Sequence, residues 1–479
     1  MADAGFFSAV RDGAGRGDAV ALISGKRAWT YRELITSAEV FAGHLGRHPT
    51  AGVPVVVDIA DAAVRAVVTL AADLAGLTVL HSDPGAPTDF GGLVVRDSAT
   101  LQEPSQPSEP SQPSQPSEPP AVRTSDGGVE LWTHTRAATH SLAGIPARSQ
   151  IFLTSGSTGT PTGVVRPAAT VLTDAHRIAA FMGYGQGLPA VVSTLSFHCY
   201  GFAYGIAAPL LHGTPVRHVP SRSIPSQLAR AVREHGARTL VGLPFQFQLL
   251  AGIAAPLDFG ELRMAVSSGA PLPPATAGAI TGRYDFALYN AYGSSETGAL
   301  SAALSTGEQL PGEVGTPFPG VVPRMVPVDG VSGGGELQLR TDALAAGYTG
   351  TDGLLPLDFD GGWYRTGDLA RIEDGGIRIN GRLKNIINVA GKKVSPAEIE
   401  RVLARHPAVT DVQVVAAPDD VRGQVPAARI VTGSDLTVAE LLAWCQSRLA
   451  PHQMPRRISF LDEIPRSAMG KPLRGPEPS

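Results

Sequence analysis

The chain has 479 residues, 43% of them hydrophobic and 17% charged, which supplies a sizeable core and excludes global disorder. A formal charge of −4 argues against a dedicated nucleic-acid or anionic-membrane binder, and two cysteines, Cys199 and Cys445, cannot build a disulfide framework or a four-thiolate zinc site. The N-terminus lacks the basic stretch and apolar core of a signal peptide, and no run of about 18 apolar residues occurs, so the expectation is a soluble, cytoplasmic enzyme.

In chain order, a buried-strand run at 53–59 precedes a helical pattern at 63–75 and a strand at 77–80. The block 100–120, TLQEPSQPSEPSQPSQPSEPP, has nothing to bury after Leu101 and reads as a flexible surface loop. Strands follow at 190–195, 215–219, 239–243, 262–267 and 286–291, with helical stretches near 205–212, 226–235 and 275–282 between them. That cadence predicts an α/β protein with a largely parallel sheet. After Gly335 the chain turns to short strands (GELQLR, GWYRTGDLARI, GGIRING), and from Ser395 a compact α+β unit is expected. Its elements are a helix at 396–406, strands at 412–416 and 427–431, and a helix at 438–449. The division expected is a large N-terminal domain, 1–383, and a small C-terminal domain, 384–479.

Arginine is the default cation. Of 39 basic residues only Lys26, Lys384, Lys392, Lys393 and Lys471 are lysine, and four of these lie at or beyond position 384. The densest chemical signal is Thr154-Ser155-Gly156-Ser157-Thr158-Gly159, directly after the apolar Ile151-Phe152-Leu153. Glycines admit positive φ and close approach, so successive N–H groups and hydroxyls can converge on a phosphate. No Gly-Lys-Ser/Thr follows, so this is not a P-loop ATPase; alone, it could also be a plain Gly/Ser turn.

Five further segments occur in order with it. They are Trp29-Thr30-Tyr31-Arg32-Glu33-Leu34, Ser268-Gly269-Ala270-Pro271-Leu272, and Asn290-Ala291-Tyr292-Gly293-Ser294-Ser295-Glu296-Thr297. Trp363-Tyr364-Arg365-Thr366-Gly367-Asp368 and the C-terminal series Gly381-Arg382-Leu383-Lys384, Gly391-Lys392-Lys393 and Ser467-Ala468-Met469-Gly470-Lys471 complete the set. Together they resemble the acyl-adenylate-forming superfamily of acyl- and aryl-CoA ligases, carrier-protein ligases, peptide-synthetase adenylation domains and luciferases.

The resemblance implies a two-step reaction. A carboxylic acid attacks ATP, pyrophosphate leaves, and the acyl-AMP passes to a thiol, either coenzyme A or the phosphopantetheine of an acyl carrier protein. It further implies that Thr154 to Gly159 hold phosphates, that Glu296 holds Mg²⁺, and that Ser295 serves the α-phosphate. Tyr292 flanks adenine, Asp368 holds the ribose with Arg382, and Lys471 bridges carboxylate and α-phosphate. A cation about 4 Å from an anion contributes roughly 4 kcal/mol at an effective dielectric near 20, enough to decide such a step. The resemblance also implies that the small domain is mobile, with a hinge near Lys384, and that the Gly391 loop belongs to the thiol-transfer half.

One departure stands out: the family has lysine where this chain has Thr162, and Arg166 is the candidate substitute. His198 stands where amino-acid-activating members place an aspartate. A buried ammonium without a partner is costly, so a free α-amino acid is disfavoured; the histidine resembles the pattern of aryl and fatty acyl ligases, and an aromatic acid is expected ahead of a medium-chain fatty acid. Its pocket is assigned to His198, Phe202, Phe245, Gln246, Ser268, Gly269 and Asn290, with Gln246 and Asn290 available to a ring hydroxyl or amine. Adenylation with an amine acceptor, or of an oxyanion such as nitrite, is the second reading, and a degenerate nucleotide-binding protein the third. A monomer or homodimer without nucleic-acid or membrane partners is expected.

Overall fold

A computed structural model describes residues 5–13, 17–47, 52–85, 90–97, 122–123, 130–136, 140–154, 162–331, 334–466 and 472. The expected loop at 100–120, the cradle residues Ser155 to Gly159, and Lys471 lie outside the described residues. What is described is a large mixed α/β domain followed by a small α+β domain, as the strand and helix cadence predicts.

The widest sheet is built around six neighbouring parallel strands: Val20–Ser24, Val216–His218, Ala190–Val192, Thr239–Gly242, Met264–Ser267 and Ala287–Ser294. It continues through antiparallel partners, Gly298–Leu304 and Glu313–Pro317, to the pair Trp363–Glu373 and Gly376–Arg382. A second sheet has parallel strands Val55–Asp58, Val79–His81 and Gln150–Thr154, the last paired antiparallel with Thr162–Arg166. Helices Tyr31–Leu45, Ala62–Leu74 and Ala168–Met182 bury apolar faces in one core with residues of both sheets. The small domain has its own five-stranded sheet and its own core, from Ile387 and Val394 to Leu441 and Cys445. Among the described residues no helix is long and apolar enough to cross a membrane.

Local chemistry explains the helix starts. Thr30 Oγ1 accepts from the Glu33 N–H at 3.2 Å while Glu33 Oε2 accepts from the Thr30 N–H at 2.7 Å, a capping box that launches Tyr31–Leu45. The Trp-Thr-Tyr-Arg-Glu-Leu segment is therefore a structural device. Asp61 caps Ala62–Leu74 through the N–H groups of Ala63 and Val64. The helical stretch expected near 205–212 begins earlier, at Cys199, and carries a π-helical turn at Ala203–Ala207. That wider turn leaves the Gly205 carbonyl to accept from His218 Nε2 at 2.9 Å.

Two buried histidines are held neutral. His81 stacks on Phe152 with centroids 4.6 Å apart and a 6° interplanar angle. Arg65 Nη1 lies 3.3 Å from Nδ1 and Gln150 Oε1 lies 2.9 Å from Nε2. Arginine cannot accept, so Nδ1 is the acceptor and Nε2 carries the proton. Burial, then the Arg65 charge, push the His81 pKa down to about 3, and burial pushes that of His218 down to about 4. Both bind a proton near pH 6.5 once unfolded, so their stabilisation is complete above that pH and is lost as pH falls toward 4 and 3. Each contributes a slope of up to about 1.4 kcal/mol per pH unit in that window. Urea unfolding between pH 7 and 4.5 should show a shallower stability slope in His81→Gln than in the wild type; an unchanged slope would contradict this account.

Candidate active site

The carboxyl ends of the parallel strands collect the segments singled out above. After Ala190–Val192 comes the run to His198; after Thr239–Gly242, Leu243 to Gln246; after Met264–Ser267, Ser268 and Gly269; and Ala287–Ser294 itself carries Asn290 and Tyr292. These strands are adjacent in the sheet, so segments spread over about a hundred residues share one edge, where open α/β sheets bind ligands.

At that edge Asp368 organises three segments. Its side chain is 5% exposed. Arg382 Nε donates to Oδ1 at 2.6 Å, and the Tyr292 hydroxyl donates to Oδ2 at 2.6 Å. Asp368 and Arg382 face each other across the strand pair Trp363–Glu373 and Gly376–Arg382. Upstream, Thr366 Oγ1 accepts from the Asp368 N–H at 3.0 Å and donates to the Leu337 carbonyl at 2.7 Å, fixing the turn at Gly367 (φ 68°). Burial and the neighbouring Asp368 charge hold the Tyr292 hydroxyl well above the usual phenol range, so it stays a donor. Glu296 lies just beyond, half-buried, with Oε1 accepting from the Tyr348 hydroxyl at 3.1 Å. Burial, followed by the Glu296 charge, pushes the Tyr348 pKa up to about 12.

Thr154 and Thr162 are register partners across the hairpin that brackets the cradle, and Thr154 Oγ1 donates to the Thr162 carbonyl at 3.1 Å. Arg166 does not replace the missing lysine. Its side chain is 1% exposed, and its guanidinium donates to the carbonyls of Ser295 and Ala343, each at 3.1 Å, and pairs with Asp174 at 3.4 Å. Asp174 Oδ1 in turn accepts from the Ala299 N–H at 2.9 Å. Gly298 sits against this carboxylate at φ +68°, and a Cβ there would fall 2.5 Å from it. Arg166 is a brace: it ties the strand leaving the cradle to the backbone that presents Glu296. Sequence reasoning missed this role because the partners lie far along the chain.

Two pocket assignments, Phe202 and Gln246, are corrected. The Phe202 ring is 1% exposed and wedged among Phe6, His81 and Phe152, so it is core. Gln246 accepts from the Leu243 N–H at 2.8 Å and donates to Ser193 Oγ and the Ser221 carbonyl at 2.7 and 2.9 Å, which commits its amide to the scaffold. Asn290 is buried, its Nδ2 donating to the Glu313 carbonyl at 3.0 Å. His198, Phe245, Ser268 and Gly269 remain half-buried at the edge. His198 caps the Cys199 helix start, with its ring 4.7 Å from that of Phe197. Adjacent Cys199 is buried and its thiol is pushed up to about 11, which excludes a thiolate nucleophile there.

In the small domain, Gly391 is exposed at φ +86° beside Ala390 at φ +49°, the two turn residues between strands Ile387–Val389 and Lys392–Val394. Its N–H donates to Asn388 Oδ1 at 3.0 Å. Lys384 lies in the short 3₁₀ turn Leu383–Asn385 joining the domains.

Comparison with known proteins places these observations. The AMP-binding enzyme family matches residues 10–349, and the AMP-binding enzyme C-terminal domain matches 398–471. The chain is 30% identical over 342 residues to 4-coumarate–CoA ligase-like 4 of Oryza sativa subsp. japonica, covering 68% of this chain and 61% of that protein. It is 31% identical over 341 residues to fatty acid–[acyl-carrier-protein] ligase ScoC of Streptomyces coeruleorubidus, covering 67% and 65%. The chain thus spans just over three fifths of the length of these relatives. ATP-bound MatB from Rhodopseudomonas palustris shares the fold with a TM-score of 0.79 at 20% identity, over 98% of this chain and 97% of that one.

Removing the Arg166 charge would leave Asp174 buried and unpaired, which costs about 3–5 kcal/mol. Arg166→Met should therefore lose stability on that scale in urea unfolding. Arg230→Met, at an exposed arginine, should change it by less than about 0.5 kcal/mol. Similar small losses for both would show that Arg166 is not a brace.

Proposed function

The chain belongs to the AMP-binding enzyme family, and from that premise we propose that it activates a carboxylic acid with ATP and transfers the acyl group to a thiol. The observation that carries the reading is the Tyr292–Asp368–Arg382 cluster at the carboxyl edge of the sheet, with Glu296 beside it. A buried carboxylate held by a guanidinium and a neutral phenol keeps acceptor lone pairs for two ribose hydroxyls, while the Tyr292 ring flanks the base. Thr154 to Gly159 would receive the phosphates through backbone N–H groups and hydroxyls, and Ser295 the α-phosphate. Lys471 would neutralise charge between the acid and the α-phosphorus as the bond to pyrophosphate breaks.

The donor set suits magnesium. Among the described residues no three His, Cys, Asp or Glu side chains gather to cage a metal, and magnesium needs only one or two carboxylates plus substrate phosphates. Glu296 is the residue to hold it, and the bound ion would offset phosphate charge.

For the acid, an aromatic substrate remains the best reading, with Phe245 offering an aromatic face and His198 standing near the carboxylate. With the Gln246 amide committed to the scaffold, recognition of a ring hydroxyl or amine falls to Asn290, whose Nδ2 is engaged and whose Oδ1, among the described residues, is not. For the acceptor, a basic cleft of about 250 Å³ beside the Gly391 turn, lined by Lys392, Arg422 and Arg456, supports a phosphate-bearing thiol such as coenzyme A or phosphopantetheine.

ATP–pyrophosphate exchange across a panel of acids tests the reading, with benzoate-type and cinnamate-type acids expected ahead of free amino acids. Exchange with none of the acids would overturn it. His198→Asp should cut exchange with the preferred acid at least tenfold and leave ATP affinity unchanged, because it sets an anion beside the carboxylate. Equal losses in both would put His198 outside the acid pocket.

The two half-reactions should also separate. Lys471→Ala should slow adenylation by about 10²–10³-fold, the usual loss for one transition-state donor, and still transfer a supplied acyl-adenylate to thiol. Gly391→Leu should spare exchange and impair transfer. Equal damage to both steps in both variants would contradict the division of labour within the small domain.

A further inference from the structure

A second basic cleft, of about 400 Å³, has walls from both sides of the joining turn Leu383–Asn385 and shares with Asp368 and Arg382 the strand pair Trp363–Glu373 and Gly376–Arg382. Arg371 and Arg378 enter it from the last strand pair of the large domain, Arg401 from the helix Pro396–Leu403 of the small one, and Arg405 and Arg448 from the turns that follow its two helices. Two carboxylates stand near these five guanidiniums. Glu398 lines the cleft and accepts from Gln453 Nε2 at 2.9 Å; Glu373, more exposed, lies 3.0 Å from Arg378 and 3.7 Å from Arg371. Positive charge is in excess.

The arginines are also incompletely satisfied. The Nε atoms of Arg371 and Arg378 are buried without a hydrogen-bond partner. Arg401 reaches the Asn380 Oδ1 only at 3.4 Å, and burial disfavours its charged form; the Glu398 charge opposes this, while the charges of Arg378, Arg405 and Arg371 add to it. Gathering like charges in a half-buried cleft is unfavourable unless an anion completes it, and guanidinium forks match phosphate oxygens in pairs.

We propose that this cleft is a second anion site that takes a pyrophosphate-class ligand, bridging Arg378 of the large domain and Arg401 of the small one. Two sources share that chemistry: free pyrophosphate, released by the reaction proposed above, on which this source rests, and the phosphate-rich tail of a coenzyme A acceptor. A bound anion would hold the two walls together and favour the domain arrangement seen here.

The test titrates the full chain with inorganic pyrophosphate and, separately, with coenzyme A, read by calorimetry and by tryptophan emission. Trp444 is a built-in reporter, because the Arg448 guanidinium lies 3.7 Å from its ring centroid. Arg401→Gln/Arg405→Gln should weaken pyrophosphate binding at least tenfold while leaving exchange activity within twofold of the wild type. Arg448→Gln, at an exposed position, should weaken it at least threefold, which keeps the test open if the double variant folds poorly. Trp444→Phe should abolish the emission change and keep the heat. Cleft-dependent heat from coenzyme A alone would support the site and assign it to the acceptor's tail. If neither anion distinguishes the wild type from the cleft variants, the proposal fails. Failure of the adenylation reading would show separately, as absence of exchange in the wild type with every acid.

Discussion

A buried carboxylate must be matched by donors, and Asp368 meets that demand by drawing together segments 76 residues apart at one end and 14 at the other. Tyr292 brings the end of the central parallel sheet, and Arg382 brings the last strand before the joining turn. Satisfying one charge thus fixes where the sheet edge stands relative to the start of the small domain. The carboxylate is in place before any ligand arrives. A ribose that replaces or shares these donors meets an acceptor already oriented, which is how a preorganised site avoids the cost of reorganising during reaction.

The same logic recurs one layer deeper. Arg166 and Asp174 are buried, and their donors and acceptors are spent on the backbone at Ser295, Ala299 and Ala343. The strand Thr162–Arg166 and the Glu296 segment are thereby braced against each other through one guanidinium. Position 162 carries a threonine and Arg166 is committed inside, so Arg166 does not stand in for the family lysine. In the proposed reaction the leaving pyrophosphate is then left to the backbone N–H groups and hydroxyls of the cradle.

Much of this was legible in the sequence, for physical reasons. The parallel strands are continuous apolar runs flanked by turns, and Asp368 and Arg382 lie in turn-rich strands whose motifs resemble those of a large family. The helix Tyr31–Leu45 was equally legible, since Thr30 and Glu33 have capping-box spacing, yet no helix was expected there. Helix Ala168–Met182 was also missed, although Val171, Ala175, Ile178 and Met182 recur at helical period on its buried face. Phe202 and Gln246 were misplaced for a different reason. Position after a strand end says that a residue is near the edge, but a turn of about 100° per helical residue decides whether its side chain faces the pocket or the core. The burial of Arg166 could not be read locally at all, because its acceptors at Ser295 and Ala343 are supplied by tertiary structure.

The most direct test of the central claim compares binding of ATP and of 2′,3′-dideoxy-ATP to the wild type and to Asp368→Asn, by calorimetry at neutral pH. If Asp368 holds the ribose, the wild type should prefer ATP by at least tenfold, and Asp368→Asn should lose most of that preference by weakening ATP binding rather than by strengthening the dideoxy form. An Asp368→Asn protein that still discriminates between the two nucleotides as strongly as the wild type would show that the carboxylate serves the fold alone.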